Sequence, residues 1–355
     1  PYIKRNLFVY EAYNNGKYTI AEKQQMFPHL FNSLSVVIPV LSSTFASVGR
    51  FLKHAGNMSL GMLIIDESGQ AAPQSALGAI YRTRRAVVVG DPLQVEPVVT
   101  IPKVLIDILA DSTCVANEYK VIENSAQTFA DNINEFNGMI GKRQVGCPLV
   151  VHRRCIEPMF SISNLISYDN RMFNKTNKKE EYLKPENPFL IKKSGWINVE
   201  GAENGGKDHF VKKQAERVCQ LMEDAVHIYS DLFETDDKIF IITPFRTVAE
   251  SMRKFIISYF SAKGYDKEIL LKWTKNCVGT VHTFQGKDAN EVLLVLGCSN
   301  KSAGAMNWVV KKANILNVAC TRAKYRIAFI GNINDWENRS CFREFIPNLI
   351  DIINV

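Results

Sequence analysis

The sequence predicts an α/β fold with parallel sheets, and three features of its apolar segments carry this prediction. Short apolar runs recur along the chain, each ends at a polar residue or a glycine, and helix-like stretches separate them. The runs cover residues 62–65, 86–89, 239–242, 292–296 and 327–330. Their β-branched composition without alternation is typical of strands buried on both faces of a parallel sheet.

Helix-like stretches at 210–229 and 249–262 complete the alternation of strands and helices that defines α/β architecture. In such sheets the chemistry lies just beyond the carboxyl ends of the strands. Asp66, Gly90 and Thr243 each follow an apolar run directly. Gly297 and Gly331 end the other two runs, so the residues after all five runs are expected at the carboxyl ends of strands.

The positive charge of the chain lies in its second part. Residues 1–140 hold 11 Lys and Arg against 12 Asp and Glu, so the remaining 32 and 24 give residues 141–355 a net charge of +8 within the total of +7. A basic surface of this kind suits a phosphate backbone as partner. A solvated surface without a partner explains the charge equally well.

The eight cysteines and the start of the chain indicate the compartment. No two cysteines form a C-x-x-C pair, which argues against a zinc site or a redox motif and favours buried thiols in a reducing cytoplasm. No apolar run reaches the roughly 18 residues of a membrane span. The chain begins at Pro1 without an initiator Met or a signal peptide, so we expect it to be cut from a longer protein.

Two strand ends carry a pattern that suits nucleotide hydrolysis. Asp66 and Glu67 follow the first run, and in a hydrolytic site one carboxylate holds Mg²⁺ while the other orients or deprotonates the attacking water. The segment Gly90-Asp91-Pro92-Leu93-Gln94 follows the next run, where a Gln is placed to sense a γ-phosphate. Taken singly, each segment also fits a strand followed by a solvated turn.

These strand ends and the segments that follow them resemble the motifs of superfamily 1 helicases. The two strand ends are similar to motifs II and III. Further matches, in the family's order, are His152-Arg153-Arg154-Cys155 with Ser163-Asn164 for motif IV, Ile242-Thr243-Pro244-Phe245 for the Thr-Pro motif of the second domain, residues 279–288 for motif V and residues 316–324 for motif VI. The 1B group, which contains the nonsense-mediated-decay helicase, is the most similar, and His-Arg-Arg-Cys resembles its bacterial members.

The resemblance implies two RecA-like domains of a P-loop NTPase helicase. The first, residues 1–140, is truncated and holds motifs Ic, II and III. The second, residues 141–355, holds motifs IV, V and VI, with polar insertions near 169–208, the first at 169–188 and the second at 201–208. It also implies ATP and Mg²⁺ as cofactors and single-stranded DNA or RNA as the partner, without a membrane.

The resemblance assigns roles residue by residue. Asp66 holds Mg²⁺, Glu67 activates water and Gln94 senses the γ-phosphate. Arg154 and Arg322 act as arginine fingers, which suits a side chain that is always charged and offers a planar fork of donors. The residues that contact ATP or couple its state to domain closure are Asp91, Gln285, Gly286 and Lys287. For Arg322 and Lys287, ordinary surface positions are the alternatives.

Nucleic-acid contacts follow from the same resemblance. Residues 39–44 resemble motif Ic, where amides and hydroxyls meet phosphates. The candidate contacts are Ser43, Thr44, Thr243, Pro244, Thr280 and His282. His282 stands where the family often has Asp, and it fits a phosphate contact, a stacking residue or a core position. Phe245 and Phe284 are interpreted as core residues.

The sequence departs from the family at one point. No G-x-x-x-x-G-K-[ST] segment occurs, so the chain supplies no P-loop to cradle the β- and γ-phosphates. We expect this chain alone to be inactive, and we attribute the gap to truncation before Pro1. An ATPase-inactive nucleic-acid-binding scaffold is the alternative, and a helicase fused to a nuclease is a third hypothesis. The motor hypothesis is favoured because the set of acidic, Gln and Arg residues is intact, namely Asp66, Glu67, Gln94, Arg154 and Arg322.

Overall fold

The computed structural model of the protein describes residues 9–116, 119–120, 124–141, 143–176, 189–203, 205, 208–284, 286–311 and 313–353. The chain divides into two compact units. The first comprises Pro1–Pro92, Glu96–Gly138 and Gln144–Gly146, and the second comprises Leu93–Val95, Met139–Arg143 and Cys147–Val355. The main division falls close to residue 140, while the short segment that contains Gln94 packs with the second unit.

The first unit is built on two parallel strands, β1 (Leu60–Ile65) and β2 (Thr83–Val88), in register from Leu60 and Thr83 to Ile65 and Val88. Its helices are α1 (Ile20–Ser35), α2 (Phe45–Phe51), α3 (Pro73–Tyr81), α4 (Lys103–Ser112) and α5 (Ala126–Ile133). The start of α1 is fixed by a capping box, in which Thr19 and Glu22 exchange hydrogen bonds between side chain and backbone. The start of α5 is fixed in the same way by Ser125 and Thr128.

Burial in the first unit corrects the prediction of strands covered on both faces. Ile65 is buried with Ala76 and Ala126, and Leu63 packs against this cluster. The alternate residues point the other way, and Met62 and Ile64 are 57% and 66% exposed. Successive strand side chains face opposite sides, so Met62 and Ile64 lie on the side of β1 opposite to Leu63 and Ile65. The strands were predicted correctly, and their two-sided burial was wrong.

The second unit contains a six-stranded sheet whose neighbouring strands all run parallel, in the order β12-β7-β11-β10-β8-β9. Its strands are β7 (Gly195–Asn198), β8 (Ile239–Thr243), β9 (Val278–Thr280), β10 (Ala289–Val295), β11 (Ala323–Gly331) and β12 (Asp351–Ile353). Short strands outside this sheet are β3 (Gly138–Ile140) and β4 (Arg143–Val145), which contain residues of both units, and β5 (Val151–His152) and β6 (Phe173–Asn174) in the second unit. The central strands β8 and β10 are almost entirely buried, so two-sided burial is confirmed here.

The helices of the second unit supply the covering layers. They are α6 (Met159–Ser167), α7 (Lys212–Ile228), α8 (Arg246–Ser261), α9 (Lys267–Cys277), α10 (Ala303–Lys311), α11 (Ala313–Arg322), α12 (Ile333–Trp336) and α13 (Ser340–Leu349). The predicted stretches 210–229 and 249–262 correspond to α7 and α8. Both helices bury one side, including Val218 and Met222 of α7 and Met252 and Ile256 of α8, in the core of the sheet.

The two predicted polar insertions are partly visible. Residues 177–188 of the first lie outside the described residues, and Phe173–Asn174 before them forms β6 beside β5. In the second, Glu203 forms an isolated antiparallel bridge with Val211. Within the described ranges, every helix is too short or too polar to traverse a lipid bilayer.

Candidate functional site

The carboxyl ends of β1 and β2 lie side by side in the first unit. The Val89 amide donates to the Ile65 carbonyl at 2.8 Å, and the Ser68 amide donates to the Val89 carbonyl at 3.0 Å. Asp66 and Glu67 follow β1 directly, and both are exposed. The structure therefore brings the two predicted acidic residues to one edge of the sheet, beside the loop that starts at Gly90.

The conformation of the acidic pair is set locally. Glu67 has a left-handed backbone with φ of 53°, an uncommon state for a residue with a side chain. Its amide donates to Asp66 Oδ1 at 2.9 Å, and its Oε2 accepts from Gln70 Nε2 at 3.0 Å. These short-range bonds hold both carboxylates at the surface, where oxygen ligands suit Mg²⁺.

Two glycines let the loops after β1 and β2 pack backbone against backbone. A Cβ on Gly69 would lie 2.5 Å from the carbonyl oxygen of Asp91. A Cβ on Gly90 would lie 2.6 Å from the Gly69 nitrogen and from Ser68 Oγ. Both positions therefore require glycine, and this close approach keeps Asp91 beside the loop of the acidic pair.

A buried polar network beneath this edge was not found from the sequence. Ser68 Oγ lies 2.6 Å from Gln127 Oε1, and Gln127 Nε2 donates to Asp131 Oδ1 at 2.8 Å. The Gly146 amide donates to the same Asp131 oxygen at 3.1 Å. The network anchors the residue after Glu67 to α5. Its members are too far apart in the sequence for any spacing pattern to have indicated it.

Gln94 lies in the segment that packs with the second unit. Val95 is buried in the core of that unit, and the carbonyl oxygen of Leu93 accepts from Asn317 Nδ2 at 2.9 Å. Asn317 is itself fully buried, and its amide also bonds Tyr168 Oη at 2.9 Å and the Ser163 hydroxyl. The side chain of Asn317, a residue of the predicted motif VI, thus joins α6 to Leu93, which directly precedes Gln94.

The predicted motif IV segment is organised by a neutral histidine. The Cys155 amide donates to His152 Nε2 at 2.9 Å, and Cys155 Sγ lies 3.0 Å from the same nitrogen. Burial, with help from the charge of Arg154, lowers the pKa of His152 to about 4. Arg154 itself is half-buried, one residue before the buried Cys155.

Arg322, a predicted arginine finger, is 1% exposed. Its Nη1 donates to the carbonyl oxygens of Lys287 at 2.9 Å and Phe284 at 3.3 Å, and its Nε donates to Val318 at 3.2 Å. The guanidinium therefore ties α11 to the predicted motif V loop inside the second unit. Lys324, at the start of β11, forms a second link to this loop through an ion pair of 2.8 Å with Asp288.

The residues predicted to couple nucleotide state to closure lie in this loop. Gly286 and Lys287 are exposed, and Gly286 has a φ of 74° that suits glycine. Gln285 lies outside the described residues. The loop thus presents an exposed turn whose base is held by Arg322.

The predicted nucleic-acid residues differ in exposure. Thr243 and Thr280 are paired across β8 and β9 at their carboxyl ends, with Thr243 buried and Thr280 half-buried. Pro244 is buried, whereas His282 is exposed in the turn after β9. Phe245 and Phe284 are 9% and 0% exposed, which confirms them as core residues.

Ser43 and Thr44 belong to the first unit and are both exposed. Thr44 precedes α2 as its N-cap residue in an extended conformation. Exposed hydroxyls at a helix start suit a phosphate contact.

Comparison with known proteins gives the following matches. The profile of a family described as an AAA domain matches residues 135–334, and that of a second family, also described as an AAA domain, matches residues 10–101. Senataxin of Mus musculus, described as a probable helicase, is 23% identical over 89% of this chain and 11% of its own length. The chain therefore spans about a tenth of that relative.

Other relatives carry similar descriptions. The DNA replication ATP-dependent helicase/nuclease DNA2 of Xenopus laevis is 23% identical over 81% of this chain and 26% of its own length. The ATP-dependent helicase upf1 of Schizosaccharomyces pombe is 23% identical over 80% of this chain and 28% of its own length. The arterivirus nonstructural protein 10 helicase, solved with DNA, overlays with a TM-score of 0.34 at 13% identity over 76% of this chain and 39% of its own.

Proposed function

The chain belongs to the AAA-domain family, and we propose that it forms the greater part of an ATP-dependent helicase motor of the Upf1-like type within superfamily 1. The motor moves along single-stranded DNA or RNA. The observation that carries the proposal is the exposed Asp66-Glu67 pair at the carboxyl end of β1, packed beside the Gly90-Asp91 loop. Paired carboxylates at a strand end suit a metal–nucleotide complex and an attacking water.

The residues divide the chemistry between them. Asp66 would hold Mg²⁺, which neutralises the charge of the phosphates, and Glu67 would orient or deprotonate the water. Gln94 would meet the γ-phosphate, with Asp91 beside it in sequence. Arg154 and Arg322 would donate to the developing charge of the transferred phosphoryl group.

Closure of the motor would be relayed through the motif V loop. Gln285, Gly286 and Lys287 would sense the nucleotide, and the bonds of Arg322 to the Phe284 and Lys287 carbonyls support a direct link between this loop and α11. Strand contacts would come from exposed Ser43, Thr44 and His282 and from the ends of β8 and β9, where Thr243, Pro244 and Thr280 lie.

ATP turnover is proposed for the natural protein in which a P-loop accompanies these residues, since the 355 residues contain no G-x-x-x-x-G-K-[ST] segment. The proposed compartment is a reducing cytoplasm. Its support is that all eight cysteines are free and six of them are buried.

The second candidate is a nucleic-acid-binding scaffold without ATPase activity. It is favoured by the burial of Arg322, whose guanidinium already has carbonyl partners inside the second unit. A finger that keeps these partners holds its guanidinium inside the second unit, whereas a motor must release some of them so that the donors can reach a phosphate.

The experiment that separates the candidates is ATP hydrolysis by the full-length natural protein, with and without single-stranded DNA and RNA. We expect strand-stimulated turnover that falls by about 10²–10⁴ in Glu67→Gln, because a general base typically contributes that much. Glu135→Gln changes an exposed carboxylate to which no role is assigned, serves as the matched control and should leave turnover unchanged. Strand binding without turnover in the unmodified protein would establish the scaffold instead.

A further inference from the structure

A cluster of metal-ligating side chains lies in the second unit and includes none of the residues assigned to ATP. Glu203, His209 and Cys298 place one potential ligand atom each within 4.8 Å of one another. Glu203 and His209 belong to the segment before α7, and Cys298 follows β10 by three residues. Cys298 is distant in sequence from the other two and is the single cysteine of the cluster, so a C-x-x-C criterion does not detect it.

The backbone around two of these residues is held in an uncommon conformation. His209 and Cys298 have φ values of 58° and 59°, in the left-handed region that favours glycine. The Cys298 amide donates to the His209 carbonyl at 2.8 Å, and a Cβ on Gly297 would lie 2.7 Å from that same carbonyl oxygen. Strain of this kind persists where the surroundings fix it, and it concentrates at ligand clamps.

The third residue offers a charged carboxylate. Burial alone would raise the pKa of Glu203, but hydrogen bonds from Ser299, Ser302 and His209 outweigh it and lower that pKa. Its Oε1 accepts from the Ser299 amide at 2.7 Å, and its Oε2 lies 2.9 Å from Ser302 Oγ. Ser299 Oγ donates to the same Oε1 at 3.2 Å. Serine groups therefore take three of the about four lone-pair sites of the carboxylate, and the site that faces His209 is left for a cation.

We propose that Glu203, His209 and Cys298 form a binding site for a divalent cation of the zinc type. Thiolate, imidazole and carboxylate are the ligand set of zinc, whereas Mg²⁺ and Ca²⁺ take oxygen ligands alone. His209 Nδ1 lies 3.4 Å from Glu203 Oε2. An edge of about 3.4 Å is what a tetrahedron with bonds of about 2.1 Å requires.

Binding at this site includes the loss of one proton. Burial, with the charge of Glu203, raises the pKa of the Cys298 thiol to about 12, so the thiol is protonated at neutral pH. When the cation binds, the S–H bond breaks, a sulfur–metal bond forms and the proton leaves to solvent. Three protein ligands leave the fourth tetrahedral position to a solvent molecule. The bound cation would fasten the segment before α7 to the loop after β10.

The test is a titration of the purified chain with Co²⁺, which takes the same ligands and is coloured. We expect one equivalent to produce thiolate-to-cobalt charge-transfer absorption together with the intense visible bands of a tetrahedral site, and one equivalent of Zn²⁺ to remove both. Native mass spectrometry should show one bound ion per chain. A wild-type chain that develops no charge-transfer absorption would overturn the proposal, whatever the variants do.

The variants assign the signal to the cluster. Cys298→Ser should abolish the charge-transfer absorption, and the double variant Cys114→Ser/Cys147→Ser, which removes the two exposed thiols, should keep it. Glu203→Gln preserves the shape and the acceptor oxygen of Glu203 and should weaken cobalt binding at least about tenfold, while far-UV circular dichroism confirms the fold. Absorption that persists in Cys298→Ser, or that vanishes in the double variant, would assign the cobalt to surface thiols and refute the site.

Discussion

The two units contain strands that are similarly apolar but lie in very different surroundings. In the first unit β1 reads Leu-Gly-Met-Leu-Ile-Ile, and its alternate residues Met62 and Ile64 are 57% and 66% exposed. In the second unit β8 reads Ile-Phe-Ile-Ile-Thr, and all five residues are buried. An apolar run therefore predicts a strand and its parallel pairing, but the layers packed on the sheet decide how much of the strand is buried.

The same contrast extends to the functional residues. In the first unit the acidic pair is exposed and is held by bonds between near neighbours in the chain. In the second unit Asn317 and Arg322 are buried and bond segments that are distant in sequence. The first arrangement leaves side chains open to a ligand, and the second transmits the position of one segment to another.

The largest expected difference in stability is between replacing an apolar strand residue by alanine in the second unit and in the first. Ile241→Ala in β8 should lower the free energy of unfolding of the second unit by about 2–5 kcal/mol, because it empties a filled core position. Ile64→Ala in β1 is the matched control and should change the first unit by less than about 0.5 kcal/mol. Hydrogen exchange followed by mass spectrometry measures each unit separately. Equal losses would show that the solvent-facing side of β1 is covered in solution.

A smaller loss of stability is expected when the buried side-chain amide of Asn317 in the second unit is removed. Asn317→Ala removes the partners of Leu93, Tyr168 and Ser163 together and should cost about 2–3 kcal/mol, since buried polar groups lose their hydrogen bonds. Amide exchange of residues 93–95 should accelerate more than that of the neighbouring core. Unchanged exchange there would show that Asn317 does not hold the segment that contains Gln94.

In the first unit the loops after β1 and β2 form a tightly packed contact, and a single methyl group tests it. Gly90→Ala places a Cβ 2.6 Å from the Gly69 nitrogen and should destabilise this unit by about 1–3 kcal/mol through overpacking. Gly61→Ala in β1, where a Cβ would meet nothing within 4 Å, is the matched control. Thermal unfolding of both variants measures the difference, and comparable midpoints would contradict the close packing.

Much of the fold was predictable because local composition determined it. The five apolar runs coincide with β1, β2, β8, β10 and β11, and the two helical stretches coincide with α7 and α8. The strands β7 and β12, at one edge of the sheet, were not predicted from the sequence. β7, Gly195–Asn198, is a four-residue strand that includes Trp196 and Asn198, and its pairing with β11 joins residues more than a hundred positions apart.

The candidate site was predictable to a lesser extent. Asp66, Glu67 and Gly90 lie just after the ends of β1 and β2, as predicted, because an apolar run favours a strand and the polar residue or glycine after it ends the run. The interior position of Arg322 did not follow from its motif, since its partners are carbonyl oxygens, which every residue carries. The Ser68–Gln127–Asp131 network joins separate segments through ordinary polar residues, so only the folded chain reveals it.

The smallest expected effect is a pH dependence that distinguishes the histidines of the two units. His152 has its pKa lowered to about 4, below the about 6.5 of an unfolded chain, so the unfolded state takes up a proton first as pH falls. Its contribution to stability is complete above about pH 6.5 and is lost between about pH 6.5 and 4. His152→Gln, which can still accept from the Cys155 amide, should flatten the fall in melting temperature between pH 7.5 and 5.

His54 in the first unit also has a lowered pKa, from burial and the nearby charges of Lys53 and Lys23, and His54→Gln should flatten the fall less. If His54→Gln flattened the fall more than His152→Gln, the histidine that is more strongly desolvated would be the one in the first unit, contrary to this prediction.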